Sequence, residues 1–103
     1  MPKYPKYDGR LNLSGEIFRE ARLQQGLSCE ELAQRLRNCG IPMSRTGIYR
    51  IEKGTRRVLY DECVFLTRIL QLNPTEIEDR ILQRLDAILN QNRDTKHSAH
   101  SSG

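Results

Sequence analysis

The chain contains the sequence MSRTGIYRIEKGTRR at residues 43–57, where a helical spacing of apolar residues coincides with a concentration of positive charge. Ile48 and Ile51 stand three positions apart, the spacing that places two side chains on one face of an α-helix. Ser44 is a candidate N-cap before them, and Gly54 is a candidate C-cap after them. We therefore predict a helix between these two caps, with both isoleucines in the core.

If both isoleucines face the core, the opposite side of the helix at residues 45–53 must face solvent. That side carries polar and cationic residues: Arg45, Thr46, Tyr49 and Arg50. An α-helix fits the DNA major groove, where Arg binds guanine through two hydrogen bonds and Thr contacts bases through its hydroxyl or its methyl group. We therefore predict that these side chains contact DNA bases. On charge alone, a solvated face without a ligand remains the alternative.

More hydrogen-bond donors follow at the end of this helix: Lys53, Thr55, Arg56 and Arg57. Donors of this kind bind phosphates, which set the position and affinity of a DNA-binding protein but carry no sequence information. The net charge of the whole chain, +4, permits a polyanionic partner without requiring one. We predict phosphate contacts from this second group of side chains.

Two helices are predicted before this segment. Ser14 is a candidate N-cap for the first helix, and Gly26 ends that helix. Ser28 and Glu31 are spaced as a capping box, in which each side chain satisfies a backbone amide at a helix start. The second helix is therefore predicted to begin at Cys29.

Two further helices are predicted after it. The fourth, from about Tyr60 to Gln71, is apolar around most of its circumference, which is typical of a helix in the centre of a core. The fifth, at residues 75–91, opens with a candidate capping box of Thr75 and Glu78 and is strongly amphipathic. Because no stretch alternates with period two for long enough to form a strand, the predicted fold class is all-α.

The two ends of the chain are predicted to lie outside the packed domain. Residues 1–12 form a flexible basic arm, since lysines and tyrosines alternate there around prolines and end in Asp-Gly. Residues 92–103 form a disordered tail, because they are polar, of low complexity and without large apolar side chains.

The composition argues against several classes of function. No apolar run approaches the length of a bilayer span, and no secretory signal is present, so we expect a cytoplasmic protein without a membrane segment. The cysteines show no CxxC spacing and both histidines lie in the tail, so we expect no metal site and no cofactor. The chain also lacks a nucleophile beside a base and a phosphate-cradling glycine loop, so we do not expect an enzyme.

Three sequence blocks occur in order along the chain: Arg22, then GLSCEELA at residues 26–33, then SRTGIYRIEKG at residues 44–54. In this combination, the chain resembles the phage repressor and Cro-like, or xenobiotic-response-element (XRE), family of helix-turn-helix proteins. The resemblance implies a five-helix, lambda-repressor-like DNA-binding domain, with residues 13–74 as its helix-turn-helix part. In that family, the second helix braces the DNA backbone and the third enters the major groove.

The resemblance also implies roles for individual residues. It implies the base contacts proposed above for the third helix, and a phosphate contact from Ser28 at the start of the second helix. It further implies an ion pair between Arg22 and Glu52. The charge pattern agrees with this pair, because Glu52 is the only acid among the basic residues 43–57.

The chain departs from the family pattern at two places. The turn at residues 37–44 is longer than the usual turn by roughly five residues, which leaves the angle of the third helix open. Cys29 stands where the family commonly has a phosphate-binding Gln. A helix N-terminus with nearby arginines is an environment that lowers a thiol pKa, so oxidation of Cys29 is one interpretation and a passive small side chain is the other.

The fifth helix suggests a second partner. Ile81, Leu85 and Ile88 have the four-then-three spacing of a helix packing seam, and Phe65 occupies a position that the family usually makes polar. We predict a homodimer through these residues, because DNA half-sites one helical turn apart match a two-fold protein. The alternative is that the seam packs onto the core of its own chain.

These features together favour a sequence-specific DNA-binding transcriptional regulator, a bacterial or phage repressor that binds double-stranded DNA with the helix at residues 45–53. The alternative is a protein-interaction module, such as an antitoxin or a scaffold, that uses the same fold to hold a protein partner. The sequence identifies no small-molecule effector.

Overall fold

The computed structural model describes residues 7–101, with side chains described through residue 91. Within that range the chain forms five helices: α1 (Gly15–Gln24), α2 (Cys29–Asn38), α3 (Arg45–Lys53), α4 (Tyr60–Ile69) and α5 (Pro74–Ser101). The only β-pairing in the described range is an isolated bridge between Tyr7 and Arg10. The predicted all-α class is confirmed.

One hydrophobic core joins the helices. Ile48 and Ile51 from α3 are each only 1% exposed, so the apolar face predicted from their spacing is the buried face. They lie in a cluster with other fully buried residues: Phe18 from α1, Leu32 and Leu36 from α2, Leu66 from α4, and Leu70 directly after α4. Because α3 packs against both α1 and α2, its opposite side is left open to solvent.

The predicted starts of α2 and α3 are confirmed by their hydrogen bonds. Ser28 Oγ accepts from the amide of Glu31 at 3.0 Å, and Glu31 Oε1 accepts from the amide of Ser28 at 3.0 Å, which completes the capping box. Ser44 Oγ accepts from the amide of Gly47 at 2.9 Å. Gly54 ends α3 in the left-handed conformation, with φ of 78°, which a residue without a Cβ adopts at little cost.

The predicted caps of α1 and α5 are wrong. Ser14 makes no capping bond through its side chain; instead, Asn12 Oδ1 accepts from the amide of Gly15 at 2.8 Å. At α5, Asn73 Oδ1 accepts from the amide of Thr75 at 2.9 Å, so the helix begins one residue earlier, at Pro74. Proline suits a first helical position, because that residue needs no amide hydrogen there.

α4 is more exposed than its composition predicts. It ends at Ile69, and Tyr60 and Val64 on its outer side are 82% and 44% exposed. The helix packs mainly against α2, so only one side of it is covered, and the predicted position in the centre of the core is wrong.

Residues 7–12 belong to the packed domain, contrary to the prediction of a flexible arm over residues 1–12. Asp8 and Gly9 have φ values of 56° and 80° and make a tight turn, across which the amide of Tyr7 donates to the carbonyl of Arg10 at 2.6 Å. The amide of Leu11 then donates to the carbonyl of Gly54 at 2.8 Å. The remainder of the predicted arm, residues 1–6, lies outside the described residues.

Asn12 connects three segments of the chain. Its Nδ2 donates to the carbonyl of Ile51 at 3.0 Å and to the carbonyl of Arg56 at 2.8 Å, while its Oδ1 accepts from Gly15. Gly15 permits this close approach, because a Cβ at that position would clash with the carbonyl of Ile51. The start of α1 is therefore fastened to the end of α3.

α5 is longer than predicted. It continues to Ser101, through most of the tail expected to be disordered, and residues 75–101 contain no glycine or proline that would stop a helix. Ile77 is buried and Ile81 packs partly against the core. Ion pairs between Arg84 and Glu16 and between Arg80 and Glu20 hold the same part of α5 against α1.

Replacing Asn12 by Ala should destabilise the domain by about 2–4 kcal/mol, because it removes three hydrogen bonds and leaves buried backbone groups unpaired. The free energy of unfolding in urea measures the effect. Asn90→Ala, at an exposed position of α5, is the matched control and should change stability by less than about 0.5 kcal/mol. Equal effects of the two substitutions would contradict the role assigned to Asn12.

Candidate nucleic-acid interface

The exposed side of α3 carries all of the side chains predicted to contact bases: Arg45, Thr46, Tyr49 and Arg50. They project from a helix of nine residues whose other side is anchored by Ile48 and Ile51. The resulting surface is cationic, and it presents guanidinium, hydroxyl and aromatic groups on one short helix. This chemistry suits hydrogen bonding to base edges in a major groove.

The long turn between α2 and α3 is packed against the core. The amide of Ile41 donates to the carbonyl of Leu36 at 3.0 Å, and Arg37 Nη1 donates to the carbonyl of Met43 at 2.7 Å. Met43 is buried beneath α3, where Gly47 makes room for its thioether sulfur. The additional residues of this turn therefore support the amino-terminal end of α3.

Arg22 and Glu52, which the sequence predicts as a pair, lie in direct contact. Arg22 Nε donates to Glu52 Oε2 at 2.7 Å, and Arg22 Nη2 donates to Glu52 Oε1 at 2.9 Å. Arg22 Nη1 also donates to the carbonyl of Leu27 at 2.7 Å. The hydrogen bonds that the buried Arg22 guanidinium donates to Glu52 raise the pKa of Arg22 above its usual value. The pair joins α1 to the end of α3.

Most of the predicted phosphate-binding residues are exposed near the ends of α2 and α3. Ser28 is exposed, although its Oγ already accepts the capping bond. Lys53 is exposed, and its ammonium lies 5.5 Å from the centroid of the Tyr49 ring. Thr55 is exposed, whereas Arg57 is half-buried.

Arg56 has a different role from the phosphate contact that was predicted. Its Nη1 and Nη2 donate to the two carboxylate oxygens of Glu62 at 2.8 and 2.7 Å. Glu62 is buried, and its Oε1 also accepts from the amide of Leu59 at 3.0 Å, at the start of α4. The predicted role is corrected because the guanidinium is engaged in tying the loop after α3 to α4.

Sequence reasoning missed both Asn12 and Glu62. A usable signal existed for Glu62, since an acid in the first turn of a helix is a common cap for the preceding backbone. No comparable signal exists for Asn12, whose partners at residues 51 and 56 are distant in the sequence.

The pKa of Cys29 shifts in the direction opposite to the prediction. Burial raises the pKa of this thiol, and the nearby Glu52 carboxylate raises it further, while Arg22 and Arg45 act in the other direction. The thiol is therefore neutral near pH 7. A neutral thiol is a poor nucleophile, which removes the chemical reason for assigning oxidation control to Cys29.

The apolar residues of α5 that face solvent are not the same set as the predicted dimer seam. Phe65, Ile81, Leu85 and Ile88 are all half-buried, and the first two of them pack against the core of their own chain. Leu82 and Leu89 are 61% and 49% exposed, and with Leu85 they line one shallow groove on the outside of α5. The apolar stripe that faces solvent on α5 is therefore formed by the exposed Leu82 and Leu89, with the half-buried Leu85 between them.

Within residues 7–101, no helix combines the length and the apolar character needed to cross a membrane. In the same range, no three His, Cys, Asp or Glu side chains are grouped as metal ligands.

A comparison with known protein families identifies the kind of domain that these helices form. A family model described as a helix-turn-helix domain matches residues 15–79, which include α1 to α4 and the beginning of α5. No curated protein and no solved structure matches the chain.

Glu62→Gln should reduce stability at neutral pH by about 1–3 kcal/mol, because it removes the charge that pairs with Arg56. The pKa of Glu62 lies below its ordinary value of 4.5, chiefly through the hydrogen bonds from Arg56. A lowered pKa contributes stability that is present above the ordinary value and is lost as the pH falls through the folded value. The difference between wild type and variant should therefore shrink below about pH 4.5.

Urea unfolding at a series of pH values tests this expectation. Glu78→Gln, at an exposed position of α5, is the control and should leave the pH dependence of the free energy of unfolding close to that of the wild type. A constant difference between wild type and Glu62→Gln from pH 7 to pH 3 would contradict the electrostatic explanation.

Proposed function

The chain belongs to the helix-turn-helix domain family, and from this premise we propose that it is a sequence-specific transcriptional regulator that reads the DNA major groove with α3. Membership in the family supports a DNA-binding regulator in general. One observation carries the finer proposal: α3 buries Ile48 and Ile51 and leaves a contiguous cationic, hydrogen-bonding face open.

We assign base contacts to the exposed face of α3. Arg45 and Arg50 supply the paired donors that suit guanine, while Thr46 and Tyr49 supply hydroxyl groups and apolar carbon. The ion pair of Arg22 with Glu52 supports this assignment, because it removes the one acid of α3 from the face that DNA would approach. Electrostatic repulsion of phosphates at that face is thereby small.

We assign phosphate contacts to residues on either side of the same face. Ser28 lies at the start of α2, and Lys53, Thr55 and Arg57 lie at or beyond the end of α3. Side chains at both ends of a groove-bound helix are suited to the two phosphate backbones that border a major groove. Arg56 is left out of this set, because it already binds Glu62.

The proposed regulator acts as a homodimer and as a bacterial or phage repressor. The leucines of α5 support the dimer, since the exposed Leu82 and Leu89 and the half-buried Leu85 form an apolar stripe at helical spacing. Two copies related by a two-fold axis would present two α3 helices to half-sites about 34 Å apart. Occupation of both half-sites would exclude other proteins from that DNA, which is the simplest route to repression.

A protein-interaction module, such as an antitoxin or a scaffold, is the second candidate. The exposed apolar side chains at the start of α4 favour it, because Leu59 and Tyr60 lie largely in solvent. This candidate predicts no salt-sensitive affinity for any duplex.

Selection from a random duplex pool separates the two candidates. The regulator should enrich an inverted repeat and bind it with an affinity that falls steeply as salt rises, because bound phosphates release counterions. An unenriched pool, together with no salt-sensitive binding to any duplex, would favour the interaction module.

Two substitutions in α3 should have different effects on DNA binding. Arg50→Ala should cost about 1–3 kcal/mol on the selected site and relax base preference at one position of each half-site. Lys53→Ala should weaken all duplexes by a similar factor and reduce the slope of log affinity against log salt by about one. Fluorescence anisotropy on selected and scrambled duplexes measures both effects. Identical behaviour of the two variants would contradict the division into base and phosphate contacts.

Leu89→Asp should convert the proposed dimer to a monomer, because it places a charge in the apolar stripe of α5. Sedimentation equilibrium measures the mass. Asn90→Asp adds the same charge at the neighbouring exposed position and is the control. A dimer that persists in Leu89→Asp would remove this stripe as the interface.

A further inference from the structure

A shallow notch of about 330 Å³ lies where the exposed side of α3 meets the start of α2. It is lined by Cys29 from α2 and by Arg45, Thr46 and Tyr49 from α3, and the lining atoms are mainly apolar. The polar ends of the same α3 side chains, together with Arg50, offer guanidinium and hydroxyl groups around it. The notch is thus an apolar site within a surface that otherwise forms hydrogen bonds.

The side chains of the notch explain its apolar character. Cys29 is half-buried, and its neutral thiol behaves as a small apolar group with a weak hydrogen-bond donor. Thr46 carries a methyl group, and Tyr49, a residue that is 54% exposed, carries an aromatic ring. A glutamine at position 29 would fill this space with an amide, so the notch depends on the small thiol of this chain.

The major groove offers few groups that suit such a site. Base edges present there hydrogen-bond donors and acceptors, together with one apolar group, the C5-methyl of thymine. A donor or acceptor pressed against the apolar atoms of the notch would lose hydrogen bonds to water without replacement. A methyl group would lose only unfavourable contact with water.

We propose that this notch accepts the C5-methyl group of a pyrimidine, which makes Cys29 a specificity-determining residue for DNA. The inference rests on the proposed function, because it requires α3 to lie in a major groove. It adds that one position of each half-site is recognised through a methyl group. Thymine and 5-methylcytosine carry this group at the same ring position, whereas uracil and cytosine lack it.

Replacing thymine by deoxyuridine, one position at a time in the selected duplex, tests the proposal without changing the protein. The exchange removes only the methyl group. Exchange of one thymine in each half-site should lower the affinity about fourfold. This is the effect expected when the interface no longer buries one methyl group. If the selected site instead has cytosine there, 5-methylcytosine should raise the affinity by a similar factor.

Cys29→Ser tests the protein side of the contact. Its hydroxyl holds water in the notch, so the variant should bind the thymine and deoxyuridine duplexes with nearly equal affinity. Cys39→Ser, at the exposed end of α2, is the matched control and should keep the fourfold preference. Circular dichroism of both variants verifies the helical fold.

The outcomes distinguish this inference from the proposed function. Specific, salt-sensitive binding in which no methyl exchange changes the affinity would overturn the notch and leave the regulator standing. Retention of the fourfold preference by a folded Cys29→Ser would also overturn the notch. Absence of sequence-specific binding would overturn both.

Discussion

The buried ion pair of Arg22 with Glu52 is the interaction on which the placement of α3 depends. One guanidinium binds a carboxylate near the end of α3 through two hydrogen bonds and the carbonyl of Leu27 through a third. α1, α3 and the loop before α2 therefore meet at a single side chain. Because a buried charge without its partner is strongly destabilising, any shift of α3 that separated the pair would be costly. The position of the exposed face of α3 is therefore restricted in the same way.

The two ends of α3 are held by different means. At the amino-terminal end, the buried Met43 packs against Gly47 beneath the helix. At the carboxyl-terminal end, Asn12 binds the backbone of Ile51, and the amide of Leu11 binds the carbonyl of Gly54. A helix fixed at both ends presents its outer side chains with little freedom of orientation. Such preorganisation lowers the entropy lost when the exposed face of α3 binds a ligand.

The arginines illustrate how much of the candidate site the sequence predicted. Their spacing relative to the buried isoleucines was enough to place Arg45 and Arg50 on the outer face. Spacing could not separate Arg56 from its neighbours, because its role is set by the approach of Glu62 from the next helix. Arg84 likewise binds Glu16, a residue 68 positions away. Charge counts alone treat all of these arginines alike. Only the distances between elements separate the arginines that form ion pairs within the domain from those on the outer face of α3.

The sequence by itself determined the all-α class, the starts of α2 and α3, and the inward face of α3, because capping and helical periodicity act between residues at most four positions apart. Only the tertiary structure decided which face of α4 is exposed, which leucines of α5 remain uncovered, that Asn12 fastens α1 to α3, and that burial keeps Cys29 neutral. These properties depend on which distant segments come together and exclude water. Burial and long-range hydrogen bonding have no local pattern from which they can be read.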